Sequence, residues 1–130
     1  MTRDHSTSLH APADAEQGAP TVLHGGGRRL PVRWINRESS PITISRYCID
    51  PGAEVSLHVH TGKLEYWLIL AGAGIVRVGS DIFAVAEGDI IATEPTVPHA
   101  LQNTGSVQLL FVNIVQATGG PITTTDLTGI

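Results

Sequence analysis

From Leu30 onward the chain runs in short β-branched and aliphatic segments, each broken by a cluster of turn-forming residues. Leu30 to Asn36 opens the series, with Leu30, Val32 and Trp34 on one face and Arg33 on the other. Pro31, which cannot donate to a ladder, confines this run to a sheet edge or a strand start. Ile42 to Ile49 follows, then the strong turn Asp50-Pro51-Gly52. Glu54 to His60, Glu65 to Leu70, Ile75 to Val78, Ile82 to Val85, Asp89 to Thr93, His99 to Gln102 and Val107 to Val115 complete the set. Between them lie Ala71-Gly72-Ala73-Gly74, Gly79-Ser80-Asp81, Glu87-Gly88 and Asn103-Thr104-Gly105-Ser106, each rich in Gly, Asn, Asp or Ser. Strands of this length, with a turn roughly every ten residues and no helical periodicity, predict an all-β sandwich or barrel.

The flanks read differently. Residues 1–28 are rich in Ala, Pro, Ser, Thr and Gly, end in Gly25-Gly26-Gly27 and show no sustained period, which predicts a flexible arm. His5, His10 and His24 fall in it and read as solvated side chains. The barrel domain is expected over 29–116. Residues 117–130, with Gly119-Gly120-Pro121 and a Thr-rich end, read as a tail in which Ile122, Leu127 and Ile130 can still pack on the barrel.

Composition narrows the possible functions. With 130 residues, 42% hydrophobic and 15% charged, the chain can bury one real core. A net charge of -4 with eight Lys and Arg excludes a nucleic-acid footprint, since Arg28-Arg29 is the only adjacent basic pair. Cys48 is the single cysteine, so no intrachain disulfide can form, which suits a reducing compartment. The opening residues lack a secretory core and no apolar run approaches the ~20 residues of a membrane span. The cytoplasm is the expected location, and no membrane partner is expected.

The chemistry gathers in four residues. His58 and His60, separated by one residue on a strand, project from the same face. Glu65 follows beyond the turn Thr61-Gly62-Lys63, and His99 opens a later strand after Val97-Pro98. Converging on one point, three imidazoles and a carboxylate could hold a divalent metal with coordination positions left for a substrate.

These residues resemble the first cupin motif: Gly52, five residues, His58, one residue, His60, four residues, Glu65, six residues, Gly72. The second motif is matched by Gly88-Asp89, Pro98-His99 and Asn103, with fifteen residues between the two motifs. The resemblance covers about residues 40 to 116. It implies a compact jelly-roll barrel, also called a double-stranded β-helix, with a metal held by His58, His60, Glu65 and His99. Glu94 and Thr96 stand where the second motif usually has Pro and Gly. Because Thr avoids positive φ, that exchange is expected to change the turn before His99.

Around the ligands, Trp67 shares the face of Glu65 and either walls the pocket or simply fills the core. Ser56 points inward, to bond a ligand or to pack. Leu101 is expected to narrow the cavity beside His99. Asn103 either orients a group behind the ligands or serves its own turn. Tyr47, Arg46 and Arg77 are candidate substrate anchors, and Cys48 reads as a small buried hydrophobe. Glu65 is the candidate catalytic residue, tuning the metal or taking a proton.

The donor set suits Fe(II), Mn, Ni, Co, Cu or Zn without choosing between them, and the resemblance to small cupins implies Fe(II) first. Three functions follow: an oxygenase or dioxygenase acting on a small organic molecule, a metal-dependent isomerase, lyase or cyclase that uses no oxygen, or a non-catalytic metabolite- or metal-binding module. The Leu30 to Asn36 run is the expected pairing edge of a homodimer.

Overall fold

The structure is a computed structural model that describes residues 18–35 and 42–127. The described residues are all-β and form eleven strands: β1 (Thr21–Val22), β2 (Arg28–Ile35), β3 (Ile42–Ile49), β4 (Glu54–Thr61), β5 (Lys63–Ala71), β6 (Ala73–Val78), β7 (Asp81–Ala86), β8 (Ile90–Thr93), β9 (His99–Gln102), β10 (Leu109–Ala117) and β11 (Thr123–Asp126). Among the described residues, no helix is long and apolar enough to cross a membrane.

The strands form two antiparallel sheets, β1-β2-β3-β10-β5-β8 and β11-β4-β9-β6-β7, in keeping with the sandwich or barrel that the pattern predicts and the jelly roll that the cupin resemblance implies. The expected strands appear with ends shifted by one or two residues. Asn36, His5 and His10 lie outside the described residues. On the six-stranded sheet, register builds inward-facing rows: Tyr47, Phe111 and Ile69 in one, Ser45, Asn113 and Trp67 in the next. The facing sheet contributes Val55, Val76, Val85 and Leu101, and the two layers close over Ile49, Leu109 and Phe111. With few aromatics available, interdigitated aliphatic side chains fill the space between the sheets.

Strand β4 departs from simple alternation. Val55 pairs with Leu101 and His58 with His99, so β4 carries one extra residue, a β-bulge. In consequence Val55 and Ser56 are both buried, and His58 and His60 still aim inward.

Two expectations about the flanks are corrected. The glycine run is not part of a loose arm. Gly26 bridges to Glu54, and Gly25 adopts φ 93° with its missing Cβ only 2.5 Å from Ser56 Oγ. Only a residue without a side chain fits that approach. Likewise the C-terminal segment is not merely a tail, because β11 pairs with β4 from Thr123↔Thr61 to Asp126↔His58. Threonines suit an exposed edge strand, although a polar run gives no apolar periodicity to read.

The turn before His99 is the third correction. Thr96 itself adopts φ 68°, the left-handed conformation that favours glycine. Its N–H donates to His60 O at 2.7 Å, and Val97 N–H to Glu94 O at 3.3 Å. Surrounding hydrogen bonds impose the conformation against the preference of the side chain.

Candidate metal centre

Strand β4 supplies His58 and His60, β9 supplies His99 and β5 supplies Glu65, so both sheets contribute to one point. The four residues each offer a donor atom, and all these atoms lie within 4.8 Å of one another. Glu65 Oε2 is 3.2 Å from Nε2 of both His60 and His99. The three imidazole rings pack edge-on or tilted, with centroids 4.2 to 5.0 Å apart.

The outer nitrogens are all engaged. His58 Nδ1 donates to Ser56 O at 2.7 Å and His99 Nδ1 to Val97 O at 2.9 Å. His60 Nδ1 meets Thr124 Oγ1 at 2.8 Å. Carbonyls only accept, so His58 and His99 carry their protons on Nδ1 and offer Nε2 as a lone pair. The His99 Nε2 contact with the Glu65 carboxylate is then attractive only with a cation present, either a second proton on the ring or a metal between the donors. Ring nitrogens held from behind, with lone pairs facing a carboxylate, suit a transition-metal dication.

Electrostatics agree. Burial drives the His58 pKa down to about 4, helped by the neighbouring His99 and His60 and only partly offset by the Ser56 carbonyl and Glu65. The ring is therefore neutral at neutral pH, with Nε2 available as a donor. Burial alone would raise the Glu65 carboxyl. The rings of His60 and His99, which bond the carboxylate when they carry a proton on Nε2, and the charge of Lys63 outweigh it and hold the group well below the usual carboxylate range. Its other oxygen, Oε1, accepts from Asn113 Nδ2 at 3.0 Å and lies 3.5 Å from Lys63 Nζ.

His58, His60 and Glu65 line a cavity of about 230 Å³, and His99 is buried beside them without lining it. Tyr47, Ser56 and Trp67 line it, as do Arg29, Lys63, Asn113, Phe111 and the rim residues His24, Thr124 and Asp126. Leu101 and Asn103 do not. Leu101 is wholly buried in the core. Asn103 staples its own turn, donating to Ile49 O and Val107 O and accepting from Gly105 N–H. Arg77 is exposed, bonding Gly79 O, and neither it nor Arg46 reaches the cavity. Cys48 is buried, with its thiol pKa raised by burial, and Arg28 Nη2 lies 3.0 Å from its sulfur. Tyr47 stacks on Phe111 at 5.0 Å, and burial raises its hydroxyl pKa.

Sequence reasoning missed Asn113, Arg29, Lys63, Thr124, His24 and Asp126. Asn113 left a trace, a polar residue in phase with Leu109 and Phe111. The others lie in segments read as arm, turn or tail, or, for Arg29, just before the first predicted strand.

The family model of the cupin domain matches residues 45–115, and the chain belongs to the cupin family. Among curated relatives it is similar to the oxalate-binding protein of Thermotoga maritima, with 31% identity over 71 residues. That match covers 55% of this chain and 59% of the relative, so the chain spans less than two thirds of the relative's length. Among solved structures it is similar to a protein described as a predicted oxalate decarboxylase of Thermotoga maritima. There the TM-score is 0.62 and identity 22%, over 76% of this chain and 90% of that one. The oxalate decarboxylase of Bacillus subtilis, described with Mn(II) centres, gives a TM-score of 0.68 at 20% identity, over 85% of this chain and 30% of that one. At these identities the structural likenesses speak for the fold alone.

Proposed function

We propose that the protein is a metal-dependent enzyme acting on a small, chelating organic anion, with His58, His60, Glu65 and His99 holding Fe(II) or Mn(II). The observation that carries this reading is the set of ring nitrogens, fixed from behind, that converges with a carboxylate in a substrate-sized cavity. Three or four protein ligands leave two or three positions of an octahedral metal open (about as many as a bidentate substrate needs). When bound, such a metal supplies Lewis-acid polarisation of substrate oxygens and one-electron chemistry with dioxygen.

The charge of the cavity supports an anionic substrate. Arg29 and Lys63 balance Glu65 and Asp126, so a divalent cation leaves the cavity with an excess positive charge. Among the described residues Arg29 has no carboxylate partner; its guanidinium donates to Thr21 Oγ1 at 3.3 Å and interacts with the Tyr47 hydroxyl. It is thus free to anchor an anionic group while the apolar faces of Trp67 and Phe111 exclude water.

An oxygenase is the first reading. Both oxygens of Glu65 are already engaged, by His60, His99, Asn113 and Lys63, so this carboxylate is a fixed ligand and not a mobile base. A lyase reaction without net oxygen use is the second, favoured by the oxalate named in the relatives. The experiment is oxygen uptake by Fe(II)- and Mn(II)-loaded protein offered oxalate, 2-oxo acids, diketones and catechols. Stoichiometric uptake supports the first reading, and turnover without uptake supports the second. His60→Ala is expected to lose most metal occupancy, and unchanged occupancy would reject the ligand assignment. The outer edge of β2, which β1 pairs only at Arg28 and Arg29, is the proposed homodimer seam in a cytoplasmic protein.

A further inference from the structure

The strand that carries His58 and His60 has β9 along one edge, and along the other two pieces of chain that are far apart in sequence. Residues 24–27 cover the first half: Ser56 N–H donates to His24 O at 3.1 Å, Glu54 N–H to Gly25 O and Gly27 N–H to Glu54 O, both at 2.9 Å. Strand β11 takes over beyond them, with Leu127 N–H donating to Leu57 O at 2.9 Å and Thr124 paired with His60. At the junction His24 Nδ1 lies 3.2 Å from Asp126 Oδ2.

All four residues of β11 are exposed, and it is an edge strand. Short exposed edges open locally at small cost. Yet this strand supplies Thr124, which holds the back of His60. The three histidines therefore differ. His58 and His99 rest on backbone carbonyls, which fix the proton on Nδ1. His60 rests on a hydroxyl, which can donate or accept. With Thr124 donating to Nδ1, the ring's own proton sits on Nε2 and bonds Glu65 Oε2. With Thr124 accepting, Nδ1 carries the proton and Nε2 is free to bind a metal.

We infer that Thr124 is the positioning residue whose hydroxyl, by accepting from Nδ1–H, supports the metal-binding tautomer of His60, and that docking of β11 and loading of the metal site are one coupled equilibrium. This rests on the metal reading above. Coupling of this kind is reciprocal: a docked strand strengthens metal binding by the factor with which bound metal strengthens docking.

The test uses the full chain with Zn(II) as the metal, and three readouts. These are affinity by chelator competition, the His60 tautomer by ¹⁵N NMR, and hydrogen exchange of the β11 amides with and without Zn(II). Thr124→Val is expected to weaken Zn(II) binding by about 10-fold or more, the range seen when a partner behind a ligating histidine is lost. It should also abolish the Zn(II)-dependent protection of β11. Thr124→Ser, which restores the hydroxyl, should recover affinity, tautomer and protection. Thr123→Val is the control, because Thr123 bonds Thr61 Oγ1 at 2.5 Å and not a ligand. It should leave the His60 tautomer unchanged. Wild-type affinity and tautomer in Thr124→Val would overturn the inference, as would an equal loss in Thr123→Val. Wild-type protein that takes up no Zn(II) at all would overturn the metal reading, and this inference with it.

Discussion

Thr96→Gly should stabilise the protein. The left-handed conformation costs an L-residue about 1–2 kcal/mol, because Cβ approaches the following carbonyl oxygen. Thr96 bears that cost at φ 68° with an exposed side chain that makes no hydrogen bond of its own. Glycine removes it but adds backbone freedom to the unfolded chain, which returns roughly 0.5–1 kcal/mol. The net gain is about 0.5–1 kcal/mol, or a rise in Tm of about 2–4 °C for a domain of this size. Differential scanning calorimetry of metal-free protein measures it directly. Thr96→Ala keeps a Cβ and should fall between wild type and Thr96→Gly. Metal uptake should not change, because the backbone that aims Val97 O at His99 Nδ1 is preserved. A Thr96→Gly protein no more stable than wild type would refute the claim that this turn is held against its own preference.

Acid should destabilise the metal-free protein. His58 titrates near pH 4 in the folded chain and about 6.5 in the unfolded one, so between those values the unfolded state binds more protons. Stability therefore falls as pH drops through that window, by about 3 kcal/mol from this group, and the depressed Glu65 adds to the loss at lower pH as it is protonated. Urea titrations at pH 7 and pH 4.5 check this, and equal midpoints would contradict it. Gly25→Ala should cost about 2–4 kcal/mol, combining an unfavourable φ with a Cβ 2.5 Å from Ser56 Oγ. Gly52→Ala, at φ 82° but with open space around it, should cost only about 1–2 kcal/mol. Thermal melts of the two variants compare these costs, and equal losses would discount the close approach.

The sequence disclosed the floor of the site better than its walls. Strand alternation placed His58 and His60 on one face, and cupin spacing brought Glu65 and His99 to them. The walls depend on pairing that composition conceals. Thr124 faces His60 only through a strand of exposed threonines, a run with no hydrophobic period. His24 belongs to a glycine-rich stretch that reads as flexible, yet three backbone hydrogen bonds tie residues 24–27 to β4. Thr96 shows the converse case. Local preference argued for a changed turn, whereas the hydrogen bond to His60 O retained it. The bulge in β4 was equally hidden, since a single inserted residue leaves His58 and His60 in phase with each other.

The two stretches that flank β4 carry a practical consequence. The cluster of His58, His60, Glu65 and His99 is assembled from the middle of the chain, while His24, Arg29, Thr124 and Asp126, which line the cavity, come from short stretches on either side. Evolution, or an engineer building chimeras, can therefore exchange the stretch that carries His24 and Arg29 to reshape the mouth, with the four donors and the Thr124 contact behind His60 left in place.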